Sequence, residues 1–521
     1  MKMARAAWLV AAVFVALLAG ARQSAADAPA LDRHGALFAL IIGVNASPDP
    51  DVPALQYADD DAARYLDLFR ALGARTYLLS HLDDNTRRLH PQAAAEAQPA
   101  RLEDLHRAVA GLARDIAQAR ARGVHSTLYV IYAGHGDVHD ATPYLTLEDG
   151  RLDGAALMSE VVNPPGADQS HLIIDACQAY LLAFQRGPGG ERRSVAGFVE
   201  LEAASRQGRI GYLLSSSATG ETHEWAGFEA GVFSHEVRSG LYGAADADGD
   251  GVVTYAEIAA FVTRANANVV NDRFRPQIVA RPPAGGDALL DLRRRGGREM
   301  RLDGPEAGAH YLLEDVQGVR LLDFHGTAGT PVHLIRPAVV GPLYLRRLAD
   351  GAERTILPGD EIVHLEALPV EPSRSGVRGA AQHAFSSLFA LPFDASAVAS
   401  YEREADLQVR AAASARREAR VHELRVAEWT ALGVGAAAVV AAGGVELWAR
   451  SLHSLSSTAP EDQAAARNQE IETRNHAATA LLVGGGVALT AGVALHFWAR
   501  SVTLGAGVSP DGARANLAFR F

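Results

Sequence analysis

Between Leu37 and Ala280, short apolar runs alternate with helical patterns, and this alternation limits the chain to few architectures. The clearest runs lie at 37–44, 127–132, 171–174 and 211–215. Uninterrupted apolar strands separated by helices are typical of a largely parallel sheet that is covered on both faces. We therefore predict an α/β domain over residues 34–283.

Two of the predicted strands end next to reactive side chains, His135 after one and Cys177 after the next. In open α/β sheets, residues just beyond the carboxyl ends of the strands line the ligand crevice. A thiol beside an imidazole can act as a thiolate nucleophile, and the imidazole can then protonate a leaving amine. The backbone N–H groups of Gly136 and Cys177 are candidate donors to an oxyanion. Taken singly, the two residues are more often explained by an inert core thiol and by a glycine-flanked turn.

Charge and cysteine content argue against one class of partner and exclude several kinds of cysteine site. Lys and Arg number 49 against 61 Asp and Glu, which gives a formal net charge of −12. With no basic block in addition, no nucleic-acid partner is expected. Cys177 is the only cysteine, which excludes an intramolecular disulfide, a four-thiolate zinc site and an iron–sulfur cluster held by thiolates.

Residues 246–257 match the EF-hand calcium loop at each of its key positions. Carboxylates occupy positions one, three, five and twelve, and Gly251 stands at the sharp turn. The predicted ligands are Asp246, Asp248, Asp250, the backbone carbonyl of Val252, Thr254 and Glu257. Because no second loop accompanies it, we expect Ca²⁺ to be structural or weakly bound, and no cofactor to be needed for the chemistry.

Several segments together resemble the caspase-like clan of cysteine peptidases, and within it the bacterial metacaspase-like branch. The matching segments are 40–44, 55–62, 132–136, 175–178, 231–235 and 241–246. The resemblance covers somewhat under half of the chain, and it implies a caspase-like sheet flanked by helices. In caspases the histidine precedes the cysteine by about 50 residues, and here the separation is about 40.

The resemblance also implies roles for particular residues. It makes His135 the acid and base, Cys177 the nucleophile, and Asp61 and Asp175 the carboxylates that bind an Arg or Lys before the scissile bond. A first-turn helix acid, favoured by the macrodipole, is the alternative for Asp61. The segment after the nucleophile, Gln178-Ala179-Tyr180, departs from the Ser-Gly usual in metacaspases, so the specificity is less firmly implied than the nucleophile.

The segment at 185–193 is rich in glycine and arginine, as an exposed loop would be. An Arg-selective peptidase that carries this loop directly after its nucleophile could cleave itself at Arg192 or Arg193. An ordinary flexible loop is the alternative.

The N-terminus predicts export. A short basic start, an apolar run and small residues near position 26 are typical of a secretory signal peptide, predicted here over 1–26. The alternative is an uncleaved anchor helix. With a cleaved signal, the peptidase domain lies on the extracytoplasmic side of a membrane.

The C-terminal part predicts a membrane anchor. We predict a small β-rich domain over 286–372, a helical stalk over 396–428, a two-helix transmembrane hairpin over 429–500 and a tail over 501–521. Each apolar segment of the hairpin approaches the ~20 residues needed to cross a bilayer, and glycines would let the two helices pack closely. A buried hairpin of a soluble protein is the alternative.

These inferences combine into an exported, membrane-anchored cysteine endopeptidase acting on protein or peptide substrates. One alternative is a catalytically inactive, calcium-stabilised caspase-like binding module in a membrane-associated assembly. Another places the function in the hairpin, as an oligomerising element. The peptidase hypothesis predicts that residues 27–285 alone cleave peptides. The oligomeric state and the natural substrate stay open.

Overall fold

The computed structural model describes most of the chain, in two units, Met1–Glu402 and Arg403–Phe521. The described residues are 35–139, 142–176, 208–216, 224–271, 275–295, 298–359, 362–372, 387–456, 460–501, 508–509 and 512–513. The predicted signal peptide at 1–26, the nucleophile Cys177 and the loop with Arg192 and Arg193 lie outside these residues.

A six-stranded sheet forms the centre of the first unit. Its strands are β1 (Ala36–Val44), β2 (Arg75–Ser80), β3 (Ser126–Gly134), β4 (Gln169–Ala176), β5 (Ile210–Ser216) and β6 (Gln277–Arg281). The order across the sheet is β6-β5-β4-β3-β1-β2. All neighbouring pairs run parallel except β6, which pairs antiparallel to β5.

Helices cover both faces of this sheet because alternate residues of each strand point to opposite sides. Leu37, Ala39 and Ile41 of β1 share one apolar cluster with helices α1 (Ala58–Ala71), α3 (Val232–Ser239) and α4 (Tyr255–Ala265). The intervening Phe38, Leu40 and Ile42 share a second cluster with α2 (Leu102–Ala121). The sequence-based prediction of a doubly covered, largely parallel sheet is therefore confirmed.

The first unit also contains several smaller elements. A three-stranded sheet follows β3 (Gly136–His139, Thr142–Thr146 and Arg151–Asp153), and a short hairpin precedes α3 (Glu224–Trp225 with Ala230–Gly231). Short helical segments are Asp84–Leu89, Pro91–Ala94, Gly154–Ala156, Leu157–Val162, Gly240–Ala244, Leu292–Arg295, Gly304–Ala307 and Leu365–Ala367. Helix α3 continues beyond Ser239 as the π-helical segment Gly240–Ala244, in which Gly243 adopts φ +119°.

The predicted β-rich domain is present and shares the core of the sheet domain. One sheet orders the strands Arg320–His325, His310–Glu314, Leu343–Arg347, Ala352–Ile356 and Glu371–Pro372; another orders Val332–Ile335, Glu299–Leu302 and Val363–His364. Tyr311, Leu322 and Phe324 of the first sheet belong to the apolar cluster that also contains Leu37 of β1. The two domains therefore share one apolar core.

The second unit is dominated by a helical hairpin. Helix α5 (Ala395–Ser456) begins in the first unit and covers the predicted stalk and the first apolar segment, and α6 (Glu461–Ser501) covers the second. The stretches Val421–Leu455 and Ala465–Trp498 are long and apolar enough to cross a membrane. In the tail, Val508–Ser509 pairs with Gly512–Ala513.

Glycine lets the two helices of the hairpin approach closely, as predicted. A Cβ on Gly435 would lie 2.8 Å from the backbone nitrogen of Leu489, and one on Gly485 would lie 3.0 Å from the carbonyl of Gly435. Polar contacts join the helices towards each end: His496 Nδ1 lies 2.6 Å from Glu428 Oε1, and the Arg474 guanidinium stacks on Trp448.

Gly43 tests the packing of β1 on α1. A Cβ at this position would lie 2.5 Å from the carbonyl oxygen of Ala58 and 2.6 Å from the Cβ of Ala62. We expect Gly43→Ala to lower the free energy of unfolding by about 1–3 kcal/mol, as overpacking of a core does, measured by urea unfolding of the full chain in detergent. Gly285→Ala is the control, because its Cβ would come no closer than 3.9 Å to a neighbour and should change stability by less than about 0.5 kcal/mol. Equal losses in both variants would contradict this packing.

Candidate active site

The pairing of β3 with β4 places the residues that directly precede His135 and Cys177 side by side. These strands run parallel, and Gly134 of β3 is the register partner of Ala176 of β4. In the sequence, His135 directly follows Gly134, and Cys177 directly follows Ala176. Neighbouring strands lie about 4.8 Å apart, so the backbone leaves the sheet at adjacent points before each residue. The position of the Cys177 side chain itself lies outside the described residues.

Local hydrogen bonds fix the backbone of His135. Its carbonyl oxygen accepts the Thr146 N–H at 3.0 Å, and the Tyr132 hydroxyl lies 2.8 Å from the same oxygen. That hydroxyl is also 2.7 Å from the carbonyl oxygen of Thr146. Gly136, the candidate oxyanion donor, is buried and opens the next strand, where it pairs with Leu145.

The His135 ring is half-buried, and its surroundings favour the neutral imidazole. Burial lowers the pKa of His135 below its usual value, although the backbone carbonyls of Asn45 and Pro53 act in the opposite direction. Within the described part of the chain, its buried Nε2 makes no hydrogen bond. A neutral ring with a free nitrogen can accept a proton from a thiol.

The two predicted substrate carboxylates meet around one glycine. A Cβ on Gly231 would lie 2.8 Å from Asp175 Oδ2 and 3.1 Å from Asp61 Oδ2, so a larger residue here would push them apart. Asp175 is the penultimate residue of β4, and Asp61 lies in the first turn of α1. Both carboxylates are almost completely buried.

Internal donors in α3 and directly before it hold these carboxylates. Asp175 Oδ2 accepts the Ser234 N–H at 3.0 Å and the Ser234 hydroxyl at 2.7 Å. Asp61 accepts the Gly231 N–H at 2.8 Å and Nη1 of the buried Arg238 at 3.0 Å. The chain itself therefore supplies one guanidinium to Asp61, which sequence reasoning did not anticipate.

The pKa values of the pair reflect this burial. Burial raises the pKa of Asp61 to about 7 against the attraction of Arg238, and the neighbouring Asp175 adds to the increase. Burial also raises the pKa of Asp175, opposed by the Ser234 donors. A cation bound between them would favour the ionised form of both groups.

Further residues of the site were missed from the sequence. Glu224 accepts the N–H groups of Gln56 at 2.9 Å and Tyr57 at 2.7 Å. Asn45 Oδ1 accepts the Ala58 N–H at 2.8 Å, so side chains from elsewhere satisfy the N-terminus of α1. Asp59 instead accepts Asn45 Nδ2 at 2.7 Å. None of these contacts is local, which explains why spacing gave no signal for them.

The predicted calcium loop has the expected shape. Ligand oxygens of Asp246, Asp248 and Asp250 lie within 4.8 Å of one another, and Gly251 adopts φ +82° at the sharp turn. The carboxylates at positions one, three and five of the loop are thus close enough to bind one divalent cation together. Val252–Thr254 pairs antiparallel with Ala288–Asp291.

Glu257, the twelfth residue of the loop, is engaged elsewhere. Its Oε1 accepts the Ala247 N–H at 3.0 Å, and its Oε2 accepts the Thr254 N–H at 2.9 Å. With the Thr254 hydroxyl these contacts form a capping box at the start of α4. Bidentate cation binding by Glu257 would require it to exchange some of these donors for the cation.

Comparison with known proteins adds a structural likeness only. No family model matches the chain, and no curated protein matches it. Among solved structures, it is similar to pro-sf-caspase-1 and to caspase-1 from Spodoptera frugiperda, at 11% and 10% identity and a TM-score of 0.29 in each case. The matches cover 48% of this chain and 89% and 88% of those chains. Identities and scores this low leave the function to be argued from the site.

The Asp61–Arg238 contact generates a stability prediction. Asp61→Asn leaves Arg238 buried without its charged partner, and we expect a loss of about 3–5 kcal/mol in the free energy of unfolding. Asp350→Asn, which removes the partner of Arg347 at the surface, should cost far less. Urea unfolding of both variants checks the difference. Equal stability of Asp61→Asn and the parent chain would show that the pair is not held as described.

Proposed function

We propose that this protein is a cysteine endopeptidase with Cys177 as the nucleophile and His135 as the acid and base. The observation that carries the proposal is the register of β3 and β4, which pairs the residues directly preceding His135 and Cys177. The half-buried, neutral histidine with a free Nε2 supports it.

The chemistry follows from these groups. His135 takes the thiol proton, and the Cys177 sulfur attacks the scissile carbonyl carbon to form a tetrahedral oxyanion. The N–H groups of Gly136 and Cys177 are the proposed donors to that oxyanion. Its collapse breaks the C–N bond as His135 protonates the leaving amine. Water, deprotonated by His135, then hydrolyses the thioester and releases the free cysteine.

We propose a preference for Arg or Lys before the scissile bond, with Asp61 and Asp175 as the binding carboxylates. Their approach around Gly231 supports a negative subsite. Arg238 already neutralises part of the charge of Asp61, so Asp175 contributes more to binding the positive charge of the substrate. A carboxylate has about four acceptor positions, which leaves sites on both groups for a guanidinium.

The hairpin is the proposed membrane anchor, with the peptidase domain on the extracytoplasmic side. Trp429, Leu447 and Phe497 are exposed, as lipid-facing side chains would be. Glu428 and Trp448, which carry the polar contacts at the two ends, are about 30 Å apart along α5 at ~1.5 Å per residue. That separation equals the hydrocarbon thickness of a bilayer, about 30 Å.

Fluorogenic peptides test the activity. We expect the full chain in detergent to cleave after Arg and Lys, and Cys177→Ala and His135→Ala to lower kcat/KM by at least about 10³-fold, because neither residue can be replaced in the acyl transfer. Asp175→Asn should lower cleavage after Arg relative to cleavage after Leu by about tenfold or more. Cleavage only after Asp would refute the basic preference. A folded parent chain that cleaves none of the peptides would favour the inactive binding module.

We also propose that the loop 246–257 binds Ca²⁺ and stabilises the fold, with ligands from Asp246, Asp248, Asp250, Val252, Thr254 and Glu257. At calcium 100-fold above its Kd, the expected gain is about 2.7 kcal/mol, seen as a higher unfolding temperature than in chelator. Asp248→Asn should abolish most of this gain, whereas the exposed Asp287→Asn, outside the loop, should retain it. The same response in parent and Asp248→Asn would place the effect of calcium elsewhere.

A further inference from the structure

Helix α3 lies between the candidate site and the β-rich domain. All eight of its residues are buried. Ser234 and Arg238 donate to the carboxylates Asp175 and Asp61. The orientation of both carboxylates therefore depends on where α3 sits.

Other residues of α3 face the β-rich domain and contact one aspartate there. Nε2 of His235 lies 2.8 Å from Oδ2 of Asp323, and neither side chain is exposed at all. The Asp323 N–H donates to the hydroxyl of Ser239 at 3.0 Å, and that hydroxyl donates to the carbonyl of His235 at 2.8 Å. Asp323 belongs to the strand Arg320–His325.

Asp323 is charged and His235 is neutral. Burial alone would raise the pKa of Asp323, but Arg320 and the hydrogen bonds from His235 and His310 outweigh it and hold that pKa well below its usual value. Burial lowers the pKa of His235 to about 3. Since a carboxylate only accepts, the neutral His235 must carry its proton on Nε2 and donate it to Asp323.

A second route joins the same aspartate to the site. Arg320, which pairs with Asp323, lies 4.8 Å over the ring of Phe228 and 5.9 Å over that of Trp225. These rings belong to the hairpin segment 224–231, whose Gly231 N–H binds Asp61. Two sets of contacts from the β-rich domain therefore converge on the segment 224–239.

We infer that Asp323 is a positioning residue: through His235, Ser239 and Arg320 it fixes the segment 224–239, and this segment fixes the carboxylates of Asp61 and Asp175. The β-rich domain thereby sets the basic specificity of the site from outside the sheet domain. The specificity part of this inference rests on the proposed peptidase function, whereas the mechanical part does not.

Asp323→Asn tests both parts in the full chain, with Glu353→Gln as its control. Glu353 is also buried and ion-paired, with Arg346 at 3.2 Å, but its strand Ala352–Ile356 pairs with Leu343–Arg347 and Glu371–Pro372 rather than with the strand of Asp323. Hydrogen–deuterium exchange should become faster across 224–239 in Asp323→Asn and stay unchanged there in Glu353→Gln. The same exchange in both variants would overturn the inference.

Kinetics supply the second readout. Asp323→Asn should lower the preference for Arg over Leu by about tenfold, mainly through KM, because the nucleophile and its base are untouched. Glu353→Gln should leave the preference unchanged. A fall in kcat alone, with the preference intact, would overturn the specificity role. If the parent chain cleaves nothing, the proposed function fails, and the exchange experiment still decides whether Asp323 positions α3.

A milder pair of variants covers the case in which Asp323→Asn does not fold. His235→Leu removes the donor to Asp323, and His235→Gln keeps an N–H at a similar reach. We expect fast exchange across 224–239 in the first and near-parental exchange in the second. Equal exchange in these two variants would refute the positioning role as well.

Discussion

The parallel pairing of β3 with β4 is the constraint on which the candidate site depends. Because the hydrogen-bond register aligns Gly134 with Ala176, the chain leaves the sheet at two adjacent points, each followed by a reactive residue. Other contacts at this edge complete the candidate site. Tyr132 fixes the backbone around His135, and α1 brings Asp61 towards Asp175. A slip of register would shift Gly134 relative to Ala176, the residues that precede His135 and Cys177.

Burying carboxylates at this edge creates a second requirement. A buried charge without donors is very unfavourable, and the backbone N–H groups of a central strand are taken up by its neighbours in the sheet. The structure meets the requirement with α3 and the hairpin before it, which donate two backbone N–H groups, a hydroxyl and a guanidinium to Asp61 and Asp175. The sheet thus positions the residues of the site, and a helix from further along the chain supplies the hydrogen-bond donors that its buried carboxylates need.

Sequence patterns predicted the parts of this fold that local physics dictates. Apolar runs predicted β1, β3, β4 and β5, because strands buried on both faces contain few polar residues. Strand β2 and the antiparallel β6 were missed, since each is only partly buried and carries arginine. The same division holds at the site. His135 and Asp175 follow from strand ends, whereas Arg238, Glu224 and Asp323 act through partners 84 to 177 residues away, and no spacing encodes such contacts. The prediction that residues 27–285 alone cleave peptides stays a prediction, and the shared core joins these residues to the chain beyond residue 285.

That shared core has a consequence for the order of folding. The cluster beneath β1 contains Leu37 and also Phe389 and Phe393, and the backbone N–H groups of these phenylalanines bond to Ala265 and His325. A core assembled from such distant segments has a high contact order, which slows folding. The N-terminal half cannot complete its core during synthesis, so the chain stays incompletely folded until the last residues before the hairpin have emerged. The candidate site, which is built on this core, is therefore assembled only at the end.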